Sequence, residues 1–122
     1  MSTVLDLMGV GMPGPLANRI GNTPATLTGT GTALSGGKAI QTSLTIATTS
    51  SGQTAFVLPS SASLGRMFIF FNPSATTALV YPPDSSSTIQ GGSAGASFSV
   101  AQNKTVIFVR YSSTAWCANL TA

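Results

Sequence analysis

From Ala39 onward the apolar residues fall in short runs, rich in β-branched and aromatic side chains, and each run meets a turn residue within eight to twelve positions. That spacing is the signature of an all-β chain. Ile40, Thr42, Leu44 and Ile46 alternate with polar neighbours until Ser50, Ser51 and Gly52, a period of two that places one set on one face of a sheet. A second strand is predicted over Thr54 to Leu58, ended by Pro59. Arg66 to Phe71 is a continuous apolar run after Gly65, which predicts a strand covered on both faces, and Asn72 with Pro73 closes it. Thr77 to Tyr81 follows, stopped by Pro82 and Pro83; then Ser87 to Gln90, which runs into Gly91 and Gly92; then Ala96 to Val100. Lys104 to Tyr111 is rich in Val, Ile, Phe and Tyr and poor in helix formers. Thr114 to Leu120 pairs with it as a hairpin across Ser112 and Ser113. No stretch holds a 3.6-residue apolar period over ten positions. The pattern predicts a small β-sandwich or jelly roll of about seven or eight short antiparallel strands.

Residues 1–38 read differently. Val4, Leu5, Leu7, Met8, Val10 and Met12 are apolar but broken by Gly and Pro, and no period follows them. Such a segment cannot build its own core and is expected to lie extended on another surface. The chain is therefore divided into an extended N-terminal arm, 1–38, and a β-sandwich body, 39–122, with Val4, Leu5, Leu7, Met8 and Met12 as the arm's contact residues.

Composition sharpens this reading. Only seven of 122 residues are charged: Asp6, Asp84, Arg19, Lys38, Arg66, Lys104 and Arg110, with Glu and His absent. An ordinary chain carries about a quarter. A surface of hydroxyls, glycine and small apolar groups has little of the like-charge repulsion that keeps monomers apart, so it suits burial against other subunits. The same poverty argues against an enzyme, because acid–base work would fall to Asp6 or Asp84 alone, and Asp84, before three serines, reads as a turn cap. Two carboxylates and one thiol cannot supply a usual metal site, and no cofactor is expected. Gly9, Gly11 and Gly14 have dinucleotide-loop spacing, but Pro13 and Pro15 stand where the helix should start. Gly31 to Lys38 misses the phosphate-loop pattern, with Ala39 where a magnesium-binding Ser or Thr is needed. Cys117 has no partner for an internal disulfide and reads as a space filler.

Arg66 beside Phe68, Phe70 and Phe71 resembles a base-stacking strand, and a nucleic-acid-binding β-barrel is one alternative. The net charge of +3 comes from scarce acids rather than clustered bases, so nucleic acid is disfavoured as a partner. The apolar opening stretch lacks a basic leader and is interrupted by Asp6, glycines and prolines, and no membrane segment is expected. Ile69, Phe71, Phe98, Phe108 and Trp116 are assigned to the core or to a subunit interface.

Thr54 to Trp116 resembles a module of tailed-phage virion proteins. The likeness rests on Leu58, Pro59, Ser60 and Gly65, the apolar strand ending at Asn72, and Val80, Tyr81 and Pro82. It continues through Thr88, Ile89, Gly91 and Gly92 to Phe98, Val100, Lys104, Val106, Phe108 and Trp116, about half of the chain. The turn at Asn72, Pro73 and Ser74 departs from the Asn-Gly-like pattern. The resemblance implies a small trimerising β-sandwich, as in head decoration (cement) proteins and in some tail or fibre proteins. A compact body with a gripping arm favours the head. The resemblance therefore implies a homotrimer on the capsid exterior, made in the host cytoplasm, with the phage major capsid protein as partner. A tail, collar or fibre-associated structural or adhesion role is the alternative.

Overall fold

The computed structural model describes residues 24–120. Strand β1 (Pro24–Thr28) lies in a large sheet and β2 (Lys38–Ala39) in a small one. The chain then keeps crossing: β3 (Leu44–Thr48) is in the large sheet, β4 (Ala55–Val57) in the small, β5 (Met67–Asn72) in the large and β6 (Ala78–Tyr81) in the small. Successive returns pair in parallel. Pro24 stands opposite Leu44 and Leu44 opposite Ile69, while Lys38 stands opposite Phe56 and Phe56 opposite Val80. Each circuit thus lays a rung on the previous one, which is the geometry of a β-solenoid. A fourth circuit, β7 (Thr88–Ile89) and β8 (Phe98–Val100), departs from the pattern, since β8 runs antiparallel to β6. The hairpin of β9 (Lys104–Ser112) and β10 (Ala115–Leu120) is inserted between β5 and β7. The large sheet has the order β1-β3-β5-β9-β10-β7 and the small one β2-β4-β6-β8.

This corrects the expected antiparallel β-sandwich or jelly roll. The described residues contain strands and no helix, as the turn spacing predicts, but the two sheets are mixed and built by coiling. Short strands with turns at regular spacing suit both plans; what differs is whether the next strand lies beside its predecessor or across from it. Only β9 and β10 form the expected hairpin, turned at Ser113 and Thr114. Strand β1, Pro24–Thr28, lies in the stretch read as an arm, and β2, Lys38–Ala39, straddles its boundary with the body. The arm residues Val4, Leu5, Leu7, Met8 and Met12 lie outside the described residues.

The two sheets close on one core. Phe68 and Phe70 of β5, Val106 and Phe108 of β9 and Trp116 of β10 point inward and meet Phe56, Val80 and Val100 from the small sheet. The Phe56 and Phe70 rings make an edge contact at 5.0 Å between sheets, and Phe98 packs on Phe108 in the same way at 5.7 Å. Each large side chain so buried contributes about 1.5–3 kcal/mol. Asn72, fully buried, closes β5: its amide donates to the carbonyls of Thr76 and Val100, and its Oδ1 accepts the Ser74 N–H. That is the reason for the Asn72-Pro73-Ser74 turn.

Rung stacking imposes its own constraint at Gly29, directly after β1. A Cβ there would lie 2.5 Å from the Gln53 carbonyl oxygen of the next rung. The Gly29 N–H donates to Thr48 O and the Thr30 N–H to Ala55 O, so the backbones cannot separate without breaking the ladder. Gly29→Ala should therefore destabilise the protein by about 1–3 kcal/mol, read as a lowered urea midpoint. An unchanged midpoint would contradict the parallel stacking of the first two rungs.

Candidate interaction surface

Strand alternation sends every second side chain of the large sheet away from the core. With Phe68, Phe70, Val106, Phe108 and Trp116 inside, the outward residues are Leu44, Ile46 and Thr48 of β3, Met67, Ile69 and Phe71 of β5, Thr105, Ile107, Val109 and Tyr111 of β9, and Cys117 and Asn119 of β10. The register assembles them into rows. Leu44, Ile69, Ile107 and Asn119 cross the sheet side by side, as do Ile46, Phe71 and Thr105, and Met67, Val109 and Cys117. No charged residue stands on the outward positions of β3, β5, β9 and β10. Every described strand belongs to one of the two sheets and the small sheet lies on the core side of the large one, so no described strand packs over this face. Its centre is half-buried by neighbouring side chains, and Met67 and Tyr111 are 51% and 60% exposed. An open groove of about 520 Å³ leads off it, lined by Ser43, Leu64, Met67 and Ile69 and by one charged residue, Arg66, with Leu64 64% exposed.

The small sheet is treated differently. The loop from Gly31 to Gly37 folds over its outward side, where Gly37 approaches Val57 and the Tyr81 hydroxyl donates to Thr32 O at 2.9 Å. One outer face is thus partly covered by the chain itself and the other is not.

The residues assigned to core or subunit interface separate into two sets. Phe108 and Trp116 are fully buried, and Phe98 is partly buried against them. Ile69 and Phe71 point outward, half-buried, on the apolar face. Leu44, Ile46, Ile107 and Val109 join them there, and sequence reasoning missed these four. Their signal was the alternation within Leu44–Thr48 and Lys104–Ser112, once it is known that Thr45 and Phe108 face the core. Phe68 and Phe70 are both 1% exposed, so neither presents a ring on which a base could stack. Arg66 lies over the Phe68 ring at 4.7 Å. Arg110 clasps the loops at the sheet end, donating from its guanidinium to the carbonyls of Ser60, Ala62 and Ser113.

A second opening lies at the start of the solenoid. Ala25 and Leu27 of β1 and Lys38 and Ala39 of β2, with Gln41 and Thr42, line a cavity of about 220 Å³. Among the described residues, β1 pairs only with β3 and β2 only with β4, so the outer edges of this rung carry no strand partner. No group of three or more His, Cys, Asp or Glu side chains gathers among the described residues, and no described helix is long and apolar enough to cross a membrane.

No protein-family model matches the chain, and no curated protein matches it. A solved structure described as that of a chaperone–substrate complex is similar at 18% identity and a TM-score of 0.46, over 79% of this chain and 16% of that one. The present chain thus spans about a sixth of the length of that neighbour.

Asp84 stands apart from the apolar face as a turn cap. Its Oδ1 accepts the Ser86 N–H at 3.0 Å and the Ser86 and Ser87 hydroxyls at 2.9 and 2.8 Å. These bonds, that from the Ser87 hydroxyl foremost, hold its carboxyl below the ordinary value of 3.8. A depressed folded pKa stabilises the fold fully above the unfolded value, and the contribution is lost as pH falls through the folded one. Melting temperature should accordingly fall in acid below about pH 4, with a shallower fall for Asp84→Asn; an equally steep acid limb in that variant would contradict the cap.

Proposed function

We propose that this chain is a non-enzymatic structural protein that works by assembling with copies of itself and against a larger protein surface. One observation carries the reading: an apolar face whose outward strand positions carry no charge spreads over four strands of the large sheet, and no described strand covers it. Its centre is half-buried and its margin, at Met67 and Tyr111, is exposed, and an apolar surface of this breadth is a common mark of an interaction site. The composition supports the same conclusion, since seven charges in 122 residues leave little repulsion to oppose association.

The larger surface is named by the likeness to tailed-phage virion modules. On that reading the protein is a capsid decoration protein that stabilises the shell as an oligomer, a trimer in the related modules, with the major capsid protein as partner. The likeness had implied a β-sandwich, so its support comes from the matching residues and not from the fold. The solenoid favours a second reading, a tail, collar or fibre-associated role. Parallel rungs with unpartnered edges at β1 and β2 are an arrangement that further rungs or strands can extend.

Gold-labelled protein mixed with phage particles lacking it and viewed by negative stain separates the two. Label over the head supports the decoration role, and label confined to the tail supports the alternative. Deleting residues 2–16 should leave a folded oligomer that no longer adds to heads. Failure of the intact protein to bind any part of the particle would overturn the virion reading.

A further inference from the structure

The solenoid is open at the end where the described residues begin. Among them, β1 has β3 on one edge and no partner on the other. In a parallel ladder, alternate residues direct both backbone groups to the same neighbour. The Gly29 N–H donates to Thr48 O, so Ala25 and Leu27 are also turned to β3. The amides and carbonyls of Thr26 and Thr28 therefore face the open edge, and both residues are exposed. Beside that edge the core is unfinished. The inward row that holds Phe70 in β5 narrows to Thr45 in β3 and Ala25 in β1, and the cavity of about 220 Å³ opens there, lined by Ala25, Leu27, Ala39 and Thr42 among others. Unpaired backbone groups beside an apolar opening suit the addition of a further rung.

Spacing along the chain names the segment. A circuit takes twenty residues from Pro24 to Leu44 (44 − 24) and eighteen from Lys38 to Phe56 (56 − 38). The next circuit lengthens to twenty-five and twenty-four (69 − 44, 80 − 56). One circuit of twenty back from Pro24–Thr28 lies the stretch Val4 to Met8, four of whose five residues are apolar. Its alternation agrees with that register. Leu5 falls opposite Ala25 and Leu7 opposite Leu27, the two β1 residues that line the cavity. Val4, Asp6 and Met8 fall opposite Pro24, Thr26 and Thr28, the exposed ones. A circuit one residue longer or shorter turns both leucines outward and Asp6 inward. Lys38 also lines the cavity and is exposed, so a cover there meets its apolar stem and leaves the ammonium in water.

We propose that residues 4–8 of this chain add a parallel strand to the open edge of β1, with Leu5 and Leu7 closing the end of the core. The inference rests on the coiled fold and not on the virion reading. Of the residues assigned to the arm, Leu5 and Leu7 thereby belong to the fold, while Val4 and Met8, on the outward side, are left for a larger surface.

The full chain carrying Cys117→Ser, Asp6→Cys and Thr26→Cys tests the register, because paired residues of adjacent strands stand within the about 4.4–6.8 Å that a disulfide spans between Cα atoms. Mild oxidation should join the two cysteines within one chain. Leu5→Cys with Thr26→Cys, whose side chains would lie on opposite faces, should oxidise at least about tenfold more slowly. Deleting residues 2–16 should speed hydrogen exchange at the Thr26 and Thr28 amides by at least about tenfold. Leu7→Asp should do the same and lower the urea midpoint, and Met8→Asp should leave both unchanged. Equal exchange in the full and shortened chains would overturn the proposal, as would equal oxidation of the two cysteine pairs. A disulfide joining two chains gives the edge to a second copy and also overturns it. If the shortened chain does not fold, the cysteine pairs decide. A protein that passes these tests yet ignores phage particles keeps this inference and removes the virion reading. One that binds particles while its Thr26 and Thr28 amides exchange equally with and without residues 2–16 does the reverse.

Discussion

A strand with apolar side chains on both faces needs cover on both faces, and β5 is such a strand in the middle of the large sheet. Its hydrogen-bonding edges are taken by β3 on one side and β9 on the other. Phe68 and Phe70 are buried in the core, where Phe70 meets Phe56 of the opposite sheet. Met67, Ile69 and Phe71 go outward, onto a surface that no described strand covers. Flanking strands repeat the arrangement with Ile107, Val109, Leu44 and Ile46, so the constraint extends across the sheet. Water over an apolar face is unfavourable, and on the reading proposed above assembly removes it.

Several polar side chains in the described part of the protein are hydrogen-bonded to the backbone. Asn72 joins the end of β5 to Val100 and Thr76; Arg110 holds the loops at Ser60, Ala62 and Ser113; Asp84 caps its own turn. A solenoid with only a few residues in many of its strands leaves numerous turn carbonyls and amides to be satisfied, and side chains bound to these cost less than leaving such groups buried and unpaired. Asn72, Arg110 and Asp84 are thereby committed to structure.

Strand positions were legible in the sequence because turn residues mark them. Gly65 with Asn72, and Pro82 after Tyr81, bracket β5 and β6 nearly to the residue. Strand partners were not legible. Alternation in Leu44–Thr48 states that two faces exist but not that Leu44 will lie beside Ile69 in parallel, twenty-five positions further on (69 − 44), with β4 crossing to the other sheet between them. No sequence repeat marks the rungs, and β1, which has no aromatic residue, passed for part of an arm whose boundary fell inside β2. The continuous run at Arg66 to Phe71 announces a strand apolar on both faces, with Ile69 and Phe71 assigned to the core or to a subunit interface; the described part of the fold has no strand over their side of β5.

The most direct measurement is a single-particle reconstruction of the assembled protein at a resolution that shows side chains. The account predicts density of a neighbouring subunit packed over Ile69, Phe71 and Ile107, with the parallel rungs β1, β3 and β5 running beneath it. Solvent over that face in the assembled state, with subunits joined through other surfaces, would contradict it.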